Sequence, residues 1–221
     1  ELRDLLSRLQ SEIQTTLNRL DNDLRHGAKV LAGKDLRGDF ARGILQGLYR
    51  ANPYIIDCET VSDSGIMLAV EPPAHRSSEG ADISRQEHMV RLFKTHMPVL
   101  SGSFQSVEGP RAVVIHHPVF SKDRKFSGSV SALFAPEYLL SNMIGPIAAY
   151  MPVSIFLMQA DGLFIYDVDS KQIGLNIFTD PLYKPFPELI ALCRRMAGTR
   201  EGSGVYRFYR KVGEAPITKA V

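Results

Sequence analysis

Apolar residues recur every three or four positions over the first thirty residues of the chain, with charged and amide residues between them. The recurring positions are Leu2, Leu6, Leu9, Ile13, Leu17, Leu20, Leu24 and Leu31. This period places the apolar side chains on one face of a helix. The pattern therefore predicts one amphipathic helix over 2–31, about 45 Å long.

A helix of this length has two possible roles, and its segments can combine them. Its apolar face can pack along the rest of the chain, or it can form a seam with a second copy of the chain. Gly33 interrupts the pattern, and a second helix with an apolar face follows over 36–48. Pro53 ends that helix and opens the first predicted strand.

Two later segments, 61–83 and 157–177, carry the same sequence of features. Each is a strand, a tight Asp/Gly turn, a returning strand, a polar loop and a corner of the form Gly-x-(Asp/Asn)-Ile. The turn glycines, Gly65 and Gly162, are about 97 positions apart, and the loop glycines, Gly80 and Gly174, about 94. The repeat predicts two tandem modules of similar size.

The first module, 53–146, is predicted to hold a five-stranded antiparallel sheet and one helix. The strands are expected at 54–63, 66–71, 101–108, 111–119 and 127–135. A capping box, Ser84 with Glu87, predicts that the helix spans 84–96. Glu108 and Arg111 flank a turn at Gly109 where a local surface ion pair is expected. A connecting helix should begin at Pro136 and end near Gly145.

The second module, 147–221, repeats this order with one strand fewer. Its strands are expected at 153–160, 163–168, 203–210 and 215–221, with a helix near 186–197. Together with the helices of residues 1–52, the modules predict an α+β fold: a long N-terminal helix and two antiparallel sheets of about five strands, each flanked by helices. The abrupt ends suggest a fragment of a longer protein.

Composition narrows the possible functions. The net charge of +2 offers no basic stripe for nucleic acid, so no nucleic-acid partner is expected. No apolar run is long enough to span a bilayer. No nucleophile elbow, metal-ligand spacing or phosphate loop occurs, so we expect no catalytic residue, no metal and no cofactor. Adjacent histidines such as His116 and His117 point to opposite faces of a strand and suit joint metal ligation poorly.

Several motifs resemble the double Cache (tandem PAS-like) extracellular sensor domains of prokaryotic, including methanogen, histidine kinases. These are the long N-terminal helix, the Asp63-Ser-Gly65 hairpin, the run 80–88, the run 98–101, Pro136-Glu-Tyr-Leu139 and Ile173-Gly-Leu-Asn176. The resemblance implies an extracytoplasmic ligand sensor between two transmembrane helices, feeding a histidine kinase or, alternatively, a chemoreceptor or cyclase. It also implies that ligand binds in the membrane-distal first module and that the long helix shifts to signal.

The resemblance also indicates candidate ligand-binding positions. Amine-sensing members of the family carry an Arg, aromatic residues and carboxylates at positions that match Gln86 and His88, Phe104 and Ser106, and Leu133 here. The Arg and the carboxylates are therefore absent from those positions. Because an amino acid needs partners for both of its charges, we expect a neutral or anionic small molecule instead.

Strand alternation supplies the other candidates. On the strand at 111–119, Ala112, Val114 and His116 share one face, and Val113, Ile115 and His117 share the other. The smaller residues of the first face leave room for a ligand, together with Ser129, Ser131 and Leu133 of the neighbouring strand. A shift of one residue would exchange His116 for His117. A structural module that binds nothing, and dimerises through the N-terminal helix, is the alternative function.

Overall fold

The computed structural model describes residues 2–109, 111–148, 153–208 and 217–221, which form an α+β fold. The predicted N-terminal helix is confirmed as α1 (Leu2–Leu31), followed by α2 (Asp39–Ala51). Tertiary contacts divide the chain into two compact units, residues 1–145 and 146–221. None of the helices that the described residues form is both long and apolar enough to cross a bilayer.

The first unit is built on a six-stranded antiparallel sheet. Its strands are β1 (Ile55–Ser62), β2 (Met67–Glu71), β3 (Val99–Leu100), β4 (Phe104–Gln105), β5 (Arg111–Phe120) and β6 (Phe126–Phe134). They lie in the order β2-β1-β6-β5-β3, and β4 also pairs with β5. The single strand predicted at 101–108 is thus two short strands. The intervening Ser101 turns inward, and its hydroxyl accepts a hydrogen bond from the Val114 amide (2.9 Å).

One face of this sheet packs against the two N-terminal helices. Helix α1 lies on β5 and β6, and α2 lies on β1 and β2. The shared core contains Leu20, Leu24, Leu31, Leu45, Cys58, Val113, Ile115, Val130 and Ala132. Burial of this apolar area is the dominant stabilising term for the unit. The predicted packing of α1 along the rest of the chain is therefore confirmed for the C-terminal half of the helix.

The opposite face is covered by α3 (Glu87–Thr95) and by the segment 101–109. The capping box predicted at Ser84 is wrong. The Ser84 amide instead donates to Asp82 Oδ1 (2.9 Å), and the Ser84 hydroxyl bonds the same side chain. This local turn competes with the cap, so the helix begins three residues later, after Gln86.

The second unit is smaller and follows α4 (Pro136–Ala148), which runs past the end predicted at Gly145. Its described strands pair as β7 (Phe156–Met158) with β8 (Phe164–Asp167), and β9 (Val205–Phe208) with β10 (Ile217–Ala220). They form two separate pairs where one sheet was expected. Helix α5 (Pro187–Gly198) lies between the pairs in sequence. The strand ends predicted within 209–216 lie outside the described residues.

The repeated corners have the same hydrogen bonds in both units. In the first, Met67 donates to Ala81, Gly80 to Met67, and Ile83 to Gly65 through backbone atoms; in the second, Phe164 donates to Leu175, Gly174 to Phe164, and Ile177 to Gly162. Gly65 (φ 88°) and Gly162 (φ 93°) adopt the left-handed region that favours glycine. At Gly65, a Cβ atom would lie 2.6 Å from Ser84 Cβ. The duplicated sequence therefore encodes a duplicated backbone turn.

Candidate functional site

The sheet of the first unit has a polar patch on the face opposite α1. Along β5, Val113 and Ile115 belong to the core beneath the N-terminal helices, whereas Val114 packs with Leu133 and Phe104 on the other side. His116 follows Val114 in this alternation, and His117 points the other way, towards Asp21 of α1. The structure thus places His116 on the face that strand alternation favoured for a ligand.

A row of polar residues crosses three neighbouring strands of this face. Glu59 of β1 is opposite Ser131 of β6, which is opposite His116 of β5. Ser131 Oγ donates to Glu59 Oε1 (3.0 Å), and Ser129 Oγ lies 3.3 Å from His116 Nδ1. Glu59 is 6% exposed, and His116 and both serines are fully buried. The row is therefore a buried polar cluster within an otherwise apolar sheet.

Three rings stack above this row. The His88 ring of α3 lies 5.0 Å from the His116 ring, nearly parallel to it, and 4.8 Å from the Phe104 ring of β4. Burial lowers the pKa of His88 to about 4, with a further effect of the Arg91 charge. Burial also lowers the pKa of His116 strongly, assisted by the neighbouring histidines. Both imidazoles are therefore neutral at pH 7.

A pocket opens between α3, the segment 101–109 and the sheet. Its empty volume is about 250 Å³, counted together with its opening to solvent. The lining residues are Glu59, Met67, Ile83, Gln86, His88, Phe104, Val107, Glu108, Val114 and Leu133. This volume lies below the roughly 300–1,000 Å³ of most ligand pockets, so the site holds at most a small molecule in this conformation, although an apolar body with a few convergent polar groups is the usual form of such a site.

Of the ligand-binding residues predicted from the sequence, five line the pocket and the others lie behind or beside that lining. Gln86, His88, Phe104, Val114 and Leu133 line the pocket. His116 lies behind His88, and Ser129 and Ser131 hold His116 and Glu59 respectively. Ser106 is buried in the covering segment, and its hydroxyl finds no hydrogen-bond partner among the described residues. All nine therefore belong to one region of the first unit.

Sequence reasoning missed the carboxylates of this region. Glu59 lines the pocket, and Asp57 precedes it by two residues on the same strand. Glu108 was expected to form a surface ion pair with Arg111, but no ion pair joins these two described residues, and Glu108 lines the pocket instead. The available signal was the run Ile55-Ile-Asp-Cys-Glu59, in which two carboxylates share one face of an apolar strand.

Glu59 and Asp57 are destabilised in their charged form. Burial, together with the negative charge of Glu108, raises the pKa of Glu59 to about 8, although the Ser131 hydrogen bond acts in the opposite direction. Burial, then Glu59 and Glu108, raises the pKa of Asp57 to about 9. Within the described residues, both oxygens of Asp57 and Oε1 of Glu108 are buried without a hydrogen-bond partner. Because the described lining residues include carboxyl groups and no positive charge, they disfavour an anionic ligand, one of the two kinds, neutral or anionic, expected from the sequence.

The unpaired polar groups lie in one region of the first unit, and the packing of the fold gives no reason for them to be buried there. His116 Nε2 is also buried without a partner in the part of the chain that the structure describes. Unpaired buried polar atoms are rare in folded proteins, and perturbed pKa values concentrate at functional sites. Over the same described residues, no three His, Cys, Asp or Glu side chains are grouped to hold a metal ion.

Comparison with solved structures shows the same fold in extracellular receptors. An extracellular ligand binding receptor from Desulfohalobium retbaense is 34% identical, with a TM-score of 0.82 over 98% of this chain. This chain spans only 39% of that receptor's length. No curated protein sequence matches the chain.

Two more distant structures share the fold alone. The extracellular domain of rpHK1S-Z16, described as a histidine kinase, is 19% identical with a TM-score of 0.71 over 99% of this chain and 85% of its own. The ligand binding domain of the Pseudomonas aeruginosa amino acid chemoreceptor PctB, in complex with L-Gln, is 14% identical with a TM-score of 0.68 over 95% and 79%.

The family resemblance seen in the sequence is confirmed by a family model. The model of the HK/GC/chemotaxis protein-like sensor domain matches residues 15–136. The match begins within α1 and ends where β6 passes into α4, so it includes every strand of the first unit's sheet. This chain belongs to the family of HK/GC/chemotaxis protein-like sensor domains, and it is an extracellular domain.

Proposed function

We propose that the pocket between α3 and the sheet binds the small molecule that this sensor domain detects. The observation that carries the proposal is the buried polar cluster at the pocket: within the described residues, Oε1 of the lining residue Glu108 has no hydrogen-bond partner, and neither do atoms of Asp57, Ser106 and His116 around that lining. A ligand that supplies a donor to Glu108 would gain binding free energy, because an unsatisfied buried polar group costs about 1–3 kcal/mol. The first unit is accordingly the ligand-sensing module.

A connection from this pocket to α1 runs through β5. His116 contacts the pocket side chain His88, and the next residue, His117, forms a 2.8 Å contact through Nε2 to Asp21 Oδ1 of α1. A ligand that displaces His88 and His116 would alter β5 directly beneath the long helix. Signalling requires that the ligand bind two arrangements of this contact with different affinities.

The full-length protein, on this proposal, is a membrane-bound histidine kinase. Its sensor part would be held by transmembrane helices that flank the chain, with the first module distal to the membrane and the second, 147–221, proximal. The support is the family itself and the likeness to rpHK1S-Z16. A chemoreceptor output is the alternative, supported by the likeness to PctB.

A thermal-shift screen of small polar compounds tests the binding site. Gln86 lines the pocket and makes no capping hydrogen bond, so Gln86→Ala removes a pocket contact without removing a helix cap. Its exposed neighbour Arg85, replaced in Arg85→Ala, is the matched control. We expect a compound that raises the Tm of the wild type and of Arg85→Ala, and raises that of Gln86→Ala less. Stabilisation that is equal in all three proteins would place the ligand elsewhere.

The output is tested in the full-length receptor. Membrane vesicles that contain it should incorporate phosphate from ATP at a rate that changes when the stabilising compound is added. The His117→Gln variant should still bind the compound but should lose most of this change. Binding without any phosphate incorporation would exclude the kinase and leave the sensor site intact.

A further inference from the structure

We propose that the ligand of this pocket is a small organic cation without a carboxylate, of the alkylamine class, held by Glu59 and Glu108. This inference names the ligand class and rests on the proposed function. It departs from the neutral or anionic ligand predicted from the sequence, and it is carried by the charges, the unpaired atoms and the shape of the pocket.

The charges of the pocket are acidic on two sides. Glu59 faces it from β1 and Glu108 from the covering segment, whereas none of the described lysines and arginines lines it. Behind the lining, Asp57 adds a third carboxyl group from β1. From α3 the pocket meets His88, with His116 of β5 behind it, and both imidazoles are neutral at pH 7.

The arginine nearest to His88 is engaged elsewhere. Arg91 Nη2 donates to the backbone oxygen of Leu100 (2.6 Å), and its Nε lies 3.6 Å from Glu87 Oε1. Because no described residue of the lining carries a positive charge, ionisation of the buried Glu59 is costly, and its carboxyl group stays protonated in the free protein. A cationic ligand would supply the missing charge.

Glu59 is positioned to make that contact. Its side chain is 6% exposed and lines the pocket, with Oε1 held by Ser131. Among the described residues, no donor reaches its second oxygen, Oε2. An ammonium group has three donors and no acceptor, so it can satisfy that oxygen and the unpaired Oε1 of Glu108.

The other walls suit an apolar body attached to the cation. Phe104 and His88 present aromatic rings to the pocket, and a cation near such a ring gains further attraction. Met67, Ile83, Val114 and Leu133 complete an apolar lining. A short alkyl chain that ends in an ammonium group would place its carbon atoms against these apolar walls and its charge near the carboxyl groups.

The same lining disfavours an amino acid. The solved relatives include chemoreceptor domains bound to L-Gln and to GABA, each of which carries a carboxylate. A bound carboxylate needs a cationic or bidentate donor. Among the described residues, the lining offers none.

Binding of a cation should release protons. The ligand favours the ionised form of carboxyl groups that burial keeps protonated in the free protein. Affinity should therefore increase between pH 6.5 and pH 8.5. A neutral or anionic ligand would show no increase or the opposite trend.

Isothermal titration with three matched compounds tests the proposal. Butylamine carries the cation, butyrate the anion, and 4-aminobutyrate both on a similar carbon chain. We expect butylamine to bind the wild type and to bind Glu59→Gln at least about tenfold more weakly, a loss of about 1.4 kcal/mol. Glu12→Gln, which changes an exposed carboxylate of α1, should bind butylamine as the wild type does.

Glu59→Gln keeps an acceptor for Ser131, and Glu108→Gln provides a second variant should the first be unstable. The proposal is overturned if butyrate or 4-aminobutyrate binds as tightly as butylamine, or if both variants retain wild-type affinity. It is also overturned if butylamine, putrescine and tetramethylammonium all fail to bind at about 10 mM. In that case the sensor function itself still stands if a neutral compound stabilises the wild type and stabilises Gln86→Ala less.

Discussion

Glu59 and Asp57 are ionisable side chains in a position normally occupied by apolar ones. Strand β1 pairs on both sides, with β2 and β6, and its other face lies on the core beneath α2. Central strands of this kind are buried on both faces, so each carboxyl group is kept protonated by its surroundings. Such residues reduce the stability of the free domain in a pH-dependent way.

The stability of the free domain should fall as the pH rises from 6.5 to 8.5. Asp57 and Glu59 keep their protons in the folded state, whereas the unfolded state loses them above about pH 4. Their contribution to the free energy of unfolding therefore decreases with rising pH until the pH reaches their folded pKa values, about 9 for Asp57 and about 8 for Glu59. The free energy of unfolding should decrease by about 1.4 kcal/mol per pH unit for each such proton. His88 and His116 act only below about pH 6.5, because their folded pKa values are lowered.

Thermal unfolding of ligand-free protein at several pH values measures this slope. Glu59→Gln should have a shallower decrease in Tm over that range, and the exposed control Glu12→Gln should follow the wild type. A wild-type Tm that rises with pH in this range would contradict the assignment of protonated carboxyl groups.

At the scale of secondary-structure elements, the two faces of β5 serve different parts of the molecule, the pocket on one side and α1 on the other. Val114 and His116 face the pocket side, while Val113, Ile115 and His117 face α1. The contact of His117 with Asp21 is one of few polar links between the helix and the sheet in the described residues, and the His117 side chain is 3% exposed. A polar contact this well shielded should be stronger than a surface ion pair.

A double-mutant cycle should show that Asp21 and His117 are coupled. We expect an interaction free energy of about 1 kcal/mol between Asp21→Asn and His117→Gln, measured by urea unfolding at pH 7. Asp21 also pairs with Arg25 on the exposed surface of α1, at 2.6 Å. The matched cycle with Arg25→Gln should give about 0.3–0.5 kcal/mol, since exposed pairs four residues apart on a helix are weak. Additive effects of Asp21 and His117 would mean that the contact contributes nothing to stability.

At the scale of the whole molecule, the first unit contains its own core. The cluster beneath α1 and α2 and the cluster beneath α3 both consist of residues from within 1–145. We therefore expect the fragment 1–145 to fold by itself. It should unfold cooperatively in a thermal melt followed by circular dichroism, and it should bind butylamine as the full chain does. A fragment without a cooperative transition would show that the second unit is needed for folding.

Dimerisation through α1 also stays a prediction at this scale. Leu2 and Leu6 continue the apolar stripe of the helix but are 42% and 51% exposed, whereas Leu20 and Leu24 are buried. Sedimentation equilibrium should detect a dimer that Leu6→Glu weakens. Val90→Glu, at a similarly exposed position of α3, should leave it unchanged. Monomers at every concentration would exclude a seam formed by the isolated chain.

Local patterns in the sequence were enough to predict the order of elements and the duplicated corner. The apolar period of α1 and the glycines at 65 and 162 act within a few residues of themselves, through helix geometry and through backbone conformations that other residues rarely adopt. The alternation along β5 was likewise local, and it placed His116 and Val114 on one face correctly. These features need no knowledge of what lies across the fold.

The tertiary structure alone decided the chemistry of the pocket. The start of α3 depended on Asp82 competing for Ser84, and the charge of the site depended on Glu59, Ser131 and His116 meeting across three strands. Carboxylates in a sequence are ordinarily taken as exposed, because most of them are. Glu59 and Glu108 become pocket residues only when strands and segments distant in sequence enclose them, and that enclosure is also what raises the pKa of Glu59.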